Sequence, residues 1–224
     1  MSTRILALCL GLCGAAYAGP YQILDEDPLL AIVIHKEGIA AAKAHNHIIV
    51  APYKSATLDY TPDAPEKTQF SLAFPVSELA PDAAQARAKW SPVMIEKGVL
   101  EEPFEEMPAD APDKIRKTML GPEQLDAEKY PDIKVTLKSL EPKAQDGGEK
   151  KTYTATFDFT LHGKTVEGTL DATLTTEGER LHVKALGAGR FTQFGIKPFS
   201  AMAGTMRNKD EFTIVVQFTA APAK

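Results

Sequence analysis

The sequence predicts an all-β fold of antiparallel strands, interrupted once by a short helical stretch. Three observations lead there. Residues 153–161 alternate without a break, with Tyr153, Ala155, Phe157, Phe159 and Leu161 apolar and Thr154, Thr156, Asp158 and Thr160 polar, the period of a half-buried strand. Similar runs recur along the chain, separated by turn signals such as Glu177-Gly178-Glu179-Arg180. Only between residues 77 and 125 does the pattern change towards helix formers and prolines. Strands of this length and spacing fit a sandwich or an up-and-down barrel. Periodicity does not choose between them.

The first element is not part of the fold. Arg4 precedes an apolar run from Ile5 to Cys13, and Ala16-Tyr17-Ala18 follows. Charge, short apolar segment and small-residue cleavage site in that order predict a secretory signal peptide over residues 1–18. The apolar run is too short for a comfortable membrane span. Both cysteines, Cys9 and Cys13, fall within it, so the expected mature chain has no disulfide and no thiolate chemistry. Cleavage also removes Arg4, leaving 24 basic against 30 acidic residues, a formal charge of −6 in place of −5. An acidic chain without a Lys/Arg run argues against nucleic-acid binding through phosphate contacts and against a polybasic membrane anchor. The remaining 19–224 read as one domain.

Residues 30–35 predict a first strand, with Lys36-Glu37-Gly38 as its turn, and residues 44–50 a second, followed by 55–60. Phe70, Leu72 and Phe74 share one face of residues 69–76. Residues 81–90 are rich in helix formers and carry Asp82 where a first helical turn favours acid. Pro92, Pro103, Pro108 and Pro112 then cut the segment into short pieces, and Glu101, Glu102, Glu105 and Glu106 predict a solvated acidic loop. Residues 114–140 run from a short helix ended at Gly121-Pro122, through a turn ended by Pro131, into a strand with Ile133, Val135 and Leu137 on one face. After a turn at residues 145–148 come the runs 153–161, 165–175, 181–186 and 211–219. Phe212, Ile214, Val216 and Phe218 point inward on the last, and an Ala/Pro tail follows at 219–224.

Three of these pieces, residues 114–140, FTLHGKTVEG (159–168) and GRFTQFGIKPFSAMAG (189–204), together resemble the YceI-like family over roughly residues 30 to 220. The resemblance implies an antiparallel lipocalin-like β-barrel, periplasmic or secreted, that holds an isoprenoid-type or other amphiphilic chain without catalysis or cofactor. The lining it implies is Phe70, Leu72, Phe74, Phe157, Phe159, Leu161, Phe191, Phe194 and Ile196. Composition alone does not separate such a pocket from a packed core. In the family an acidic residue commonly precedes the Phe-Gly of the third segment. Gln193 stands there in this chain, so that residue's polar contact to a headgroup is not carried over. Nucleic acid and stable membrane insertion are not implied, and a homodimer is left open.

Catalytic signatures are missing: there is no G-x-S-x-G, no Walker A loop and no H-E-x-x-H. Gly187-Ala188-Gly189 opens like a dinucleotide fingerprint, but Thr192 replaces its third glycine outside any βαβ unit. Asp158, Glu167 and Asp171 belong on outer strand faces. His45-Asn46-His47 is the one constellation with a second reading. Two imidazoles at i and i+2 would supply half of a zinc or copper shell, completed by His35, His162, His182 or a carboxylate. Otherwise Ile48 and Val50 face the core and both histidines face solvent or a barrel rim. The rivals to a lipid carrier are therefore a metal-binding protein or enzyme built on His45 and His47, and a filled, ligand-free barrel.

Overall fold

The computed structural model describes residues 19–26, 28–143 and 150–223. The expected leader, both cysteines and the turn at 145–148 lie outside the described residues. Strands β1 (Gly19–Ile23), β2 (Leu29–Glu37), β3 (His47–Val50), β4 (Thr57–Tyr60), β5 (Gln69–Pro75) and β6 (Ala80–Pro81) precede two helices, α1 (Ala84–Glu96) and α2 (Ala111–Leu120). Then come β7 (Asp132–Pro142), β8 (Lys150–Leu161), β9 (Lys164–Glu177), β10 (Arg180–Arg190), the two-residue β11 (Ser200–Ala201) and β12 (Met206–Pro222).

Antiparallel pairing closes these strands into an eight-position barrel. β1 and β2 follow one another along a single edge of β12, Tyr21 opposite Pro222 and Ile34 opposite Phe212. β3 and β4 do the same along β2 and β1, and β5 and β6 occupy the next position. β7, β8, β9 and β10 complete the ring back to β12. Closure leaves no long sheet edge exposed for pairing with another chain. It also explains two departures from the sequence reading. β1, with a proline in five residues, has little strand signal of its own, and its conformation comes from lying between β4 and β12. The Ala/Pro tail does not hang free but continues β12 as far as Pro222, held against Tyr21.

Two glycines set the inner surface. A Cβ on Gly189 would meet the Phe212 ring at 2.6 Å, and one on Gly187 would meet the Thr169 carbonyl oxygen at 2.6 Å. The Gly-Ala-Gly run is thus a close-packing device of a strand.

Helix α1 covers the outer face of the barrel wall. Trp90 and Met94, with Leu100 and Phe104 from the following loop, pack on Leu29, Ala31, Val33, Ile48 and Val215. Pro92 was expected to end a helix here, yet α1 runs through it. A proline inside a helix forfeits one backbone bond and costs about 3 kcal/mol. Burying Trp90 and Met94 against five strand side chains offsets that, at about 1.5–3 kcal/mol for each large apolar side chain. Asp82 also departs from expectation. It precedes α1 in a left-handed conformation (φ 49°) and is buried, so it serves a charge network described below and not the helix end. Helix α2 ends at Gly121, as the sequence indicates. No helix among the described residues is long and apolar enough to cross a membrane.

Candidate functional site

The inward faces of the strands enclose a cavity of about 750 Å³. Tyr60 of β4 lines its floor. Tyr21 and Tyr60 pack edge to face there, centroids 5.6 Å apart, and Tyr153 is buried beside them in the same core. Burial raises the Tyr60 phenol above its ordinary value against a lowering hydrogen bond from Thr176, and burial likewise raises Tyr153. The floor is therefore uncharged across the physiological range. A charged group would find nothing to offset its desolvation there.

The walls follow from alternation. Leu30, Ile32 and Ile34 come from β2, Phe70, Leu72 and Phe74 from β5, and Ile133, Val135 and Leu137 from β7. β8 gives Ala155, Phe157, Phe159 and Leu161, and β12 gives Phe212, Ile214, Val216 and Phe218. From Ala155 to Leu161 the lining runs about 20 Å along β8, at ~3.3 Å per residue. The paired strands β9 and β10 carry small residues, Gly168, Ala172, Ala185 and Gly189. In the sheet Gly168 lies directly beside Phe157 and Gly189 directly beside Phe212, so these rings have room to lie along the wall. Phe70 contacts Phe157 edge on at 6.2 Å and stacks on Phe218 at 6.4 Å, so the rings brace one another around that space.

The mouth is roofed by α2 and by the short helical turn Phe191–Phe194. Ile115 and Met119 of α2, with Leu125 after it, face the cavity, as do Phe191, Phe194 and Ile196. The three segments that carried the family resemblance converge here. His162, in a left-handed turn (φ 52°), packs at a tilt against the Tyr130 ring, centroids 4.4 Å apart, and donates from Nδ1 to the Phe194 carbonyl at 3.2 Å. Gly163 follows at φ 70°, and a Cβ there would lie 2.6 Å from the Tyr130 ring. Only glycine fits, because the turn needs both the positive φ and the space.

All nine residues singled out from the sequence, Phe70, Leu72, Phe74, Phe157, Phe159, Leu161, Phe191, Phe194 and Ile196, stand on the wall of this one cavity. The α2 contribution was not read from the sequence, because a ten-residue helix cut off by glycine shows nothing of what it covers. The small residues beside the rings were missed too. They carry no chemical signal until the strands pair.

Beside the mouth, where β2 and β3 meet α1, charged side chains form a chain of contacts. His47 donates from Nδ1 to Asp82 Oδ2 at 2.7 Å. Asp82, its side chain fully buried, also accepts the Ile48 N–H at 3.1 Å and Arg87 Nη1 at 2.5 Å. Arg87 reaches on to the Asn46 and Glu105 carbonyls at 3.0 and 2.6 Å and lies 4.8 Å over the Phe104 ring. Glu105 pairs with Lys36 and accepts the Asn46 N–H at 3.2 Å. Burial works to raise the Glu105 carboxyl. The Lys36 bond, its backbone bonds and the Lys36 charge outweigh that and hold it below the usual range. One member of the expected acidic loop is thus a structural ion-pair partner, and sequence proximity to other glutamates concealed it.

The histidine reading is corrected in one respect. On β3, Ile48 packs under α1 on the outer face, while His47 shares the inward side with Ile49 and Ala51. Among the described residues no three His, Cys, Asp or Glu side chains gather into a metal-binding group. Asp158 and Glu167 do lie on the outer wall, paired with Lys138 at 3.8 and 2.6 Å, and Asp171 pairs with Lys143.

A family model described as YceI-like domain matches residues 52–220. Among solved structures, BcnA of Burkholderia cenocepacia shares the fold at a TM-score of 0.57 and 13% identity, over 89% of this chain and 100% of that one. A domain from Saccharophagus degradans, described as polyisoprenoid binding and implicated in plant cell wall breakdown, aligns at a TM-score of 0.52 and 10% identity, over 90% of this chain and 98% of that one. No curated protein sequence matches.

Proposed function

The chain belongs to the YceI-like family, and from that premise we propose that its barrel holds the hydrocarbon chain of an isoprenoid-type or other amphiphilic lipid, as a periplasmic or secreted, non-enzymatic carrier. The observation that carries this reading is the cavity itself. About 750 Å³ of interior, walled by phenylalanine and aliphatic side chains with the neutral Tyr60 at its floor, is shaped for an apolar chain. Each methylene moved there from water contributes about 0.8 kcal/mol. A long chain thus binds without needing many polar contacts. The printed description of the Saccharophagus domain as polyisoprenoid binding supports the same ligand class. Export rests on the leader pattern of residues 1–18.

Phe157 and Phe159, on the inward side of β8, are proposed to contact the chain. Native mass spectrometry of the purified protein, followed by organic extraction, should release an isoprenoid or fatty chain. Phe157→Asp and Phe159→Asp should each abolish uptake of a fluorescent C16 chain, because a carboxylate in this wall has no partner. Unchanged uptake in a variant with native circular dichroism would end the reading.

A further inference from the structure

The cavity is apolar along its length but not at its mouth, and the charged groups there are unevenly engaged. Of its charged lining residues, Arg207 is held by Glu37 at 2.6 Å and Lys114 by Asp110 at 2.7 Å, while Glu167 turns outward to Lys138. That leaves Lys43, His45 and His47, all at the entry to β3. For Lys43 no ion-pair partner is found among the described residues. His45 Nδ1 is buried without a hydrogen-bond partner, an arrangement that costs free energy unless a ligand group satisfies it. In His47, Nδ1 is committed to Asp82, so the ring is fixed in one orientation and Nε2 is the nitrogen left for the cavity side.

Charge balance says what suits that nitrogen. Running back from it, Asp82, Arg87, Glu105 and Lys36 alternate in sign and sum to zero. A neutral His47 therefore completes a balanced network. A protonated one adds a single positive charge that the buried Asp82 adjoins and the network does not cancel. Lys43 adds one positive charge beside this set, and an incoming acid brings a negative charge for Lys43 and a proton for His47 without changing the total.

We infer that Lys43, His45 and His47 form a headgroup site for a carboxylic acid, so that the preferred occupant is a long-chain acid bound head-up in the barrel. On docking, the acid O–H bond breaks, its proton forms the Nε2–H bond of His47, and the carboxylate accepts from that N–H and from Lys43. The site deepens the carrier reading and rests on it.

The test compares hexadecanoic acid with its methyl ester, which has the same chain and no acidic proton, by displacement of a fluorescent chain from the full protein. The acid should bind about tenfold or more tightly, the effect of a charge-assisted hydrogen bond. In His47→Gln, and to a smaller degree in Lys43→Ala, the ratio should fall towards one. Where His47→Gln does not fold, nitrogen NMR of the native protein decides. His47 Nε2 should take the imidazolium shift with acid bound and not with ester. Equal affinity for acid and ester overturns the headgroup site and leaves the carrier standing. Binding of neither overturns both. Tighter binding of hexadecyl phosphate than of the acid overturns the assignment to a carboxylate.

Discussion

The two sides of the same barrel wall face different kinds of interior. On the outer side of β2, β3 and β12, Leu29, Val33, Ile48 and Val215 meet α1 with no exposure at all. That interface is solid. On the inner side of the same strands, Ile32, Ile49 and Ile214 border a cavity. One apolar surface is sealed by a helix and the other by a ring of strands too wide for its own side chains. Burial therefore does different work on the two faces. Outside it fixes the fold, and inside it leaves a surface whose desolvation a ligand can complete. The charged chain from Lys36 to His47 stands at the seam, anchored in the solid side and ending at the hollow one.

The sharpest way to break the distinction is to remove a charge from the seam. Arg87→Met strands Asp82 without its cation in a buried site, and about 3–5 kcal/mol of stability should be lost in urea unfolding. Lys138→Met, on the exposed outer wall, should leave the urea midpoint almost unchanged. A loss of similar size in both would show that the seam is not buried in solution. Next comes a pair of truncations. Met94→Ala in the solid interface should cost about 2–5 kcal/mol with chain binding intact. Phe157→Ala should fall below the 3–5 kcal/mol of a filled core, because one side of its ring already lacks protein neighbours, and should weaken chain binding instead.

Smaller effects sharpen the picture at the mouth. Gly163→Ala places a side chain against Tyr130 at a positive φ, and about 1–3 kcal/mol should be lost, seen as a lower thermal midpoint. The smallest effect is a pH dependence. Glu105 has a carboxyl held below its ordinary value of 4.5, so folding takes up protons less readily than the unfolded chain does. Its stabilisation is present above pH 4.5 and disappears as pH falls through the lowered value. The acid limb of the stability curve should be shallower in Glu105→Gln than in the native protein.

Much of this architecture was legible in single residues. Alternation on β8 placed Phe157 and Phe159 inward, and it did the same for Phe70 and Phe74 on β5, because a period of two admits only one inward set. The end of α2 at Gly121 was equally readable. Other features were not, for reasons that differ from case to case. β1 takes its conformation from β4 and β12, so its own five residues reveal nothing. Pro92 opposes a helix locally and is overruled by what Trp90 and Met94 bury. Asp82 has the signature of a helix start and is instead drawn into a buried site by Arg87 and His47, residues five and thirty-five positions away.

What the sequence determined by itself is the face of each strand that is apolar, and hence that the strands must wrap around a common interior. Side-chain alternation is a local property and is complete once the residues are known. Whether that interior is filled or hollow, and that a histidine held by a buried carboxylate stands at its mouth, was decided only by the tertiary structure. The number of strands in the closed ring sets the volume. The small residues of β9 and β10 come to lie beside the rings of β8 and β12 only through strand pairing, and no local pattern records which side chain lies next to which.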